Sequence, residues 1–397
     1  MASMFPTQSS DTAMAPTRDR GGGYWRDLDW ILVVAALGAS LMGSVLVWSA
    51  SRADLASEGD PQSYLKRHLI NLGVALVLGI IASRINYRLL RAYTPVVYIA
   101  SMALLLVPFV PGLGVTIAGA RAWIDVPLGF TIQPSEFAKV SVILMMAALL
   151  SERRDREDEP SGQDVMLALL VAAIPTAIIL VQNDTGTVLI LAAVSLSIIA
   201  VAGVRTRWLV GLMGGAVLGV LAAVQFGLLQ EYQVDRLTSF INPDEDVSAS
   251  AYNANQARIA IGGGGLDGYG LFEGPQTQGN FVPVNESDFV FTVAGEELGF
   301  IGSALLILLL AVILWRAIWI AWKADDLYGR LVATGVAAWL AFQMFENVGM
   351  TLGIMPITGI PLPFVSAGGT SMMATWIALG LLQTVRLHSL AVMRSQV

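Results

Sequence analysis

The sequence predicts an all-α fold: a polytopic integral membrane protein with about ten transmembrane helices and a large extracytoplasmic loop between the seventh and eighth. Three observations carry that expectation. Of 397 residues, 55% are hydrophobic and 13% charged, against roughly 25% charged in an ordinary soluble domain. Such a chain cannot clothe a water-facing surface. The apolar residues gather into runs of membrane length, and about 20 residues suffice for one crossing. The runs are near-continuous rather than alternating, which excludes the closed barrel, the other structure that satisfies every backbone amide in hydrocarbon.

Residues 1–28 are polar and carry no apolar core or cleavage-site pattern of a signal peptide, so they read as a disordered cytoplasmic tail. The membrane domain spans 29–389. Its helices are expected near Trp30–Ser49, Leu69–Ala82, Tyr93–Val110, Phe137–Leu150, Val165–Val181, Thr187–Val204, Trp208–Phe226, Phe289–Trp319, Leu331–Gly349 and Thr370–Leu382. The extracytoplasmic loop covers 227–287, and 390–397 form a second cytoplasmic tail. No internal repeat is visible, so the inverted halves of many transporters have no support.

Orientation follows from the cations. Of the 23 Lys and Arg residues, 16 fall on one side, among them Arg84, Arg88, Arg91, Arg153, Arg205, Arg316, Arg330 and Arg386. Six fall on the other, and Lys139 lies inside a helix. Cations concentrate in the cytoplasm, so both termini are expected there. The net charge of −7 argues against nucleic acid. With no cysteine, thiolate metal sites are excluded, and His68 and His388 are too far apart in the chain for a His-based cage.

Ionisable groups in or beside spans are costly and default to functional hypotheses. They collect at the outer end. Glu136 and Lys139 share a face at the start of the fourth helix, spaced i, i+3. Asp184 sits in the turn between the fifth and sixth, Asp288 precedes the eighth, and Glu296 and Glu297 follow it. Glu346 and Asn347 come just before the stretch from Gly359 to Thr370. Each has a structural reading too. Glu136 with Lys139 can be a plain ion pair, Asp184 an Asx turn, Glu296 a solvated interfacial group, and Gly262–Gly265 a flexible loop. In the outer loop, Tyr252–Ile261 is helix-like and amphipathic, with Gln256 and with Arg258 expected at the headgroups. The uncharged amides of 274–283 suit sugars or peptides better than ions.

At these residues the chain resembles the SEDS family (shape, elongation, division and sporulation), in its RodA branch more than its FtsW branch. The resemblance runs from Asp29 to Ser389. It rests on Gln133 to Lys139, Asp184 to Thr187, Gln256 to Gly270, Asn280 to Pro283 with Ser287 to Phe291, Gly295 to Gly299, Asn347 to Met350, and Gly359 to Gly369, which includes Ser366. Two departures stand out. The family usually reads Pro-Glu-x-His-Thr-Asp-Phe where this chain has Pro283 to Phe289, and it commonly has a tyrosine where Ala367 stands. Asp288 is retained.

The resemblance implies an inner-membrane peptidoglycan glycosyltransferase that polymerises lipid II at the outer face, with undecaprenyl pyrophosphate leaving. It also implies a class B penicillin-binding protein as partner. Transfer to a sugar hydroxyl needs a base, and Asp288 is the candidate. The leaving diphosphate needs cationic stabilisation, for which Arg258 and Lys139 are candidates and Arg121 a third. A divalent cation, Mg or Mn, is an alternative helper, held through carboxylate and phosphate oxygens. Glu136, Gln256, Asp184 and Ser366 complete the expected substrate-binding set. Within the family an FtsW-like septal polymerase is the alternative to the RodA-like role in cell elongation, and two other classes remain open: a flippase for the lipid-linked precursor, gated by Glu136 and Lys139, and a scaffold that recruits a synthase. A flippase makes no glycan from lipid II in detergent, and a scaffold has no use for Asp288.

Overall fold

The structure, a computed structural model, describes residues 23–56, 62–117, 119–126, 130–152, 160–227, 231–241 and 249–396. It is a helical bundle. A short α1 (Tyr24–Asp27) precedes α2 (Trp30–Ala56), α3 (Ser63–Arg84) and α4 (Tyr87–Leu106), which ends in a 3-10 turn at Val107–Phe109. Three strands follow, β1 (Gly114–Ile117), β2 (Ala120–Val126) and β3 (Phe130–Ile132), then α5 (Pro134–Ser151), α6 (Gly162–Val181), α7 (Thr185–Val201) and α8 (Thr206–Gln225). The loop region holds α9 (Glu231–Ile241), α10 (Ala249–Gly263) and α11 (Pro275–Gln278). It leads to α12 (Val290–Glu297), α13 (Gly299–Lys323), α14 (Leu327–Leu352) and α15 (Gly369–Ser395).

Among the described residues, nine helices are long and apolar enough to cross a membrane, and the shorter apolar α7 makes the tenth of the expected spans. The chain is a multi-pass membrane protein. Polar caps mark where the spans begin: Asn86 accepts from the Arg88 amide, Ser161 and Asp164 form a capping box, and Asp326 accepts from the Gly329 amide. Each satisfies amides that have no partner within the helix. The buried faces of α5, α7, α14 and α15 form the centre. In contrast, α8 buries none of its residues.

The Arg-rich ends of three helices are clamped by one buried acid. Asp29 accepts from Arg316 at 2.5 Å and from Arg386 at 2.8 Å, joining α2, α13 and α15. Nearby, Arg394 pairs with Asp27. Two terminal expectations change accordingly. Residues 24–27 are helical rather than tail, and α15 continues to Ser395, so most of the expected C-terminal tail is helix. Residues 1–22 lie outside those described.

Two further differences lie at the opposite end. The antiparallel sheet β1-β2-β3, with Gly114 opposite Ile124 and Ile124 opposite Ile132, fills the connection to α5. The eighth span is two helices broken at Leu298–Gly299. Gly299 has φ +64, and a Cβ there would lie 2.3 Å from the Gly268 nitrogen. Gly264 is equally tight, since its Cβ would lie 2.0 Å from the Gly295 carbonyl oxygen. Within the glycine run, Gly264 is therefore a close-packed crossing where only a residue without Cβ lets the two backbones meet, whereas a Cβ on Gly262 or Gly265 would meet nothing within 4 Å.

Candidate active site

Asp288 lies in the turn 283–289 that leads into α12. The amides of Ser287, Asp288 and Phe289 all point to the Val284 carbonyl, at 3.2, 3.1 and 3.4 Å. The turn is stitched to the segment 359–369. Ser366 donates its hydroxyl to the Ser287 carbonyl at 2.5 Å and accepts from the Leu362 amide at 2.7 Å. The Ala367 amide donates to the Glu286 carbonyl at 2.8 Å. From α14, the Asn347 amide group donates to the carbonyls of Asp288 and Ile360, at 2.7 and 2.8 Å. Ser366 thus serves the frame of the site, and its residue type is dictated by one donor and one acceptor demand.

The half-buried Asp288 carboxylate accepts from the Ser287 hydroxyl at 2.9 Å. Its other oxygen faces Gly359, whose φ is +73. A Cβ on Gly359 would lie 3.2 Å from that oxygen and 4.0 Å from an Arg236 guanidinium nitrogen. Glycine therefore leaves space where acid and guanidinium face each other. Burial pushes the Asp288 carboxyl up to about 6 against the Ser287 hydrogen bond, with the Glu286 charge raising it further and Arg236 lowering it. Removal from water disfavours the charged form, so this acid can take a proton near neutral pH. Arg236 itself is oriented by a bond to the Thr358 carbonyl at 3.2 Å.

Across the same segment lies the Glu136–Lys139 pair. Lys139 is fully buried, donates to Glu136 at 2.8 Å and to Gln343 at 3.4 Å, and stands 4.5 Å from the Trp339 ring centroid. Gln343 in turn donates to the Pro361 carbonyl at 2.7 Å. The pair and Asp288 are therefore tied through α14 to neighbouring carbonyls of one loop. Lys139 neutralises Glu136 first, which makes it a support of the site rather than an open cation.

Asp184 caps α7. It accepts from the Thr187 amide and hydroxyl at 3.1 and 2.8 Å, and also from Gln133 and Ser135 at 2.9 and 3.2 Å. This is the Asx reading extended to a brace between α5 and α7. Arg121 donates to the Pro108 carbonyl at 3.0 Å, and its amide bonds Gln182. Its contacts hold β2 against the bundle and do not reach Asp288. Arg258 is exposed on α10, donates to Asn255 at 2.5 Å and packs near Gly353 at the end of α14. Gln256 is half-buried on the same helix.

Arg236 is one of six outer cations, and no motif distinguishes it in the sequence. Glu296, expected as a solvated interfacial group, is fully buried: its carboxylate accepts from the Gln276 and Thr277 amides at 2.6 and 2.8 Å and from the Thr277 hydroxyl. Glu297 does likewise for Ser49 and Gln278. The two acids hold the amide-rich segment down onto α12. Beside the site, the buried Glu346 carboxyl faces the Thr358 hydroxyl, whose backbone carbonyl orients Arg236.

Among the described residues no three His, Cys, Asp or Glu converge to hold a metal. Mg²⁺ and Ca²⁺ take six or more oxygen ligands, whereas Asp288 shares its opening with a guanidinium. These residues supply no protein cage for a metal; a divalent cation would be held there only by Asp288 together with substrate phosphate oxygens and water.

A family profile for FtsW, RodA and SpoVE, described as cell cycle protein, matches residues 29–390. The chain belongs to this family. Stage V sporulation protein E of Bacillus subtilis is 35% identical over 91% of this chain and 97% of its own length. The peptidoglycan glycosyltransferase MrdB of Escherichia coli K12 is 32% identical over 91% and 94%. Among solved structures, a chain of a peptidoglycan synthase complex aligns with TM-score 0.75 at 30% identity, covering 91% of this chain and 98% of that one. The rod shape determining protein RodA of Thermus thermophilus aligns with TM-score 0.66 at 29% identity, covering 92% and 97%.

Proposed function

We propose that the Asp288 site polymerises lipid II at the outer face of the membrane. As a member of this family, the chain is a peptidoglycan glycosyltransferase; the residues and their roles are the proposal. The observation that carries it is the carboxylate at Asp288, raised to about 6 by burial and facing Arg236 across Gly359.

In the reaction, the Asp288 carboxylate takes the proton of the acceptor sugar hydroxyl as that oxygen bonds to the donor's anomeric carbon. The bond from that carbon to the undecaprenyl pyrophosphate oxygen breaks, and the electron pair leaves with the pyrophosphate. Arg236 neutralises the developing charge, the role that sequence reading gave to Lys139, Arg258 and Arg121. A placed base contributes about 10²–10⁴-fold, and a fixed guanidinium adds electrostatic stabilisation without reorganising.

The outward placement rests on the cation bias of the opposite end, which sets both termini in the cytoplasm. The RodA-like task in cell elongation and a class B penicillin-binding protein as partner extend the same reading. The test is a gel assay of purified protein with lipid II in detergent, with and without such a partner. Glycan from wild type and none from Asp288→Asn supports the assignment. Wild-type rates from Asp288→Asn would refute it, and absence of any glycan from an intact protein–partner complex would favour a flippase.

A further inference from the structure

At the Arg-rich end, far along α4, α5 and α15 from Asp288, a cavity of about 650 Å³ opens between these helices. The site described above makes no use of it. Arg88 and Arg91 stand one turn apart on α4, spaced i, i+3, so their guanidinium groups share a face. Both line the cavity, both are exposed, and neither forms an ion pair among the described residues. Glu152, at the end of α5, supplies an acid that is also without an ion pair there. The second acid, Asp326, is already engaged by the Tyr87 hydroxyl and the Gly329 amide. His388 stacks flat on Tyr87, centroids 4.0 Å apart, and closes the floor.

Two features give this cavity a direction. Pro95 lies inside α4 and lines the cavity. It has no N–H, so the Arg91 carbonyl loses its usual i+4 donor and an acceptor is left between two lining residues. Beyond Pro95 the wall turns apolar, with Met145 and Leu149 of α5. There the outer face of α4 exposes Val96, Val97 and Ile99. The cavity thus carries two guanidinium groups and a freed carbonyl on α4 and a carboxylate at the end of α5, with apolar lining beside them.

We propose that this cavity binds the phosphoethanolamine headgroup of an aminophospholipid, with one acyl chain along the Pro95–Met145 wall. The phosphodiester lies against Arg88 and Arg91, as charge-assisted hydrogen bonds favour. The ammonium lies against Glu152 and the Arg91 carbonyl. A purely anionic lipid would leave Glu152 facing a phosphate without a cation. A choline headgroup has no N–H to give. A soluble phosphate ester would leave the apolar wall wet.

The experiment places the purified protein in mixed bilayer discs with equal phosphatidylethanolamine, phosphatidylglycerol and phosphatidylcholine, and reads retained lipid by native mass spectrometry. Phosphatidylethanolamine should be retained in preference. Arg88→Gln with Arg91→Gln should lower that retention roughly tenfold, the scale of lost charged hydrogen bonds. Glu152→Gln should erase the preference over phosphatidylcholine and leave phosphatidylglycerol unchanged. Both variants replace exposed groups, and an unchanged melting temperature would confirm intact bundles. Equal retention of the three lipids by wild type would overturn the proposal, as would unchanged retention in the double variant. Displacement of bound lipid by soluble glycerophosphoethanolamine at equal concentration would assign the site to a soluble ester instead. None of these outcomes depends on the polymerase reading.

Discussion

Asp288 and the Glu136–Lys139 pair flank the same loop, yet their charges are handled in opposite ways. Lys139 is sealed from solvent and its ammonium is answered by Glu136, Gln343 and the Trp339 face. Asp288 is half-buried, bonded on one oxygen by Ser287, and left open on the other toward Gly359 and Arg236. The ammonium of Lys139, so answered, stabilises the fold, although Oε2 of Glu136 is buried without a hydrogen-bond partner. The Asp288 carboxylate is costly to bury and chemically available. On the proposed reading, this difference separates support from chemistry among residues that form one polar cluster in the sequence.

The sharpest way to break this contrast is Asp288→Asn. It should lower lipid II polymerisation by about 10²–10⁴-fold while leaving the melting temperature equal or higher. The sign follows from linkage: a carboxyl raised to about 6 favours the folded state when protonated. Its contribution is full below its ordinary pKa and lost as pH rises through 6. Asn is a permanent neutral substitute. Lys139→Met should do the reverse, costing about 3–5 kcal/mol by stranding the Glu136 charge, seen as a large drop in thermal stability in detergent. Exchanging the two residues, Glu136→Lys with Lys139→Glu, should recover more stability than either single change. No recovery would show that Gln343 and Trp339 demand the ammonium at its present position.

Smaller effects sharpen the picture. The polymerisation rate of wild type should fall about tenfold per pH unit below 6 and level off above it, measured as initial rates across buffers. Arg236→Gln should lower the rate roughly tenfold and move that midpoint upward, because Arg236 lowers the Asp288 pKa. A merely structural arginine would leave the midpoint in place. Ser366→Ala should cost about 1–3 kcal/mol, the scale for buried groups left unpaired, with a modest drop in rate through loosening of the turn.

The bundle was legible because each span must hide its backbone in hydrocarbon, and that demand writes itself into 20-residue runs. Asp288, Glu136 and Lys139 were legible for the complementary reason, as charges out of place. What escaped had no such signature. The strands of 114–132 are short and lack sustained alternation, and the break at Gly299 sits in continuous apolar sequence. Glu296 looked solvated because its partners are backbone amides from a segment 20 residues earlier in the chain, which no local pattern announces. Arg236 is selected by a loop returning over α14, a purely tertiary event.

The clamp at Asp29 bears on how the molecule is made. Its carboxylate belongs to the earliest crossing, but one guanidinium arrives with residue 316 and the other with residue 386. During synthesis that acid meets its first guanidinium only when α13 emerges and its second only with α15. The join between the N-terminal helix α2 and α15 therefore forms only late in synthesis, and a polypeptide truncated before Arg386 lacks one of the two cations at Asp29.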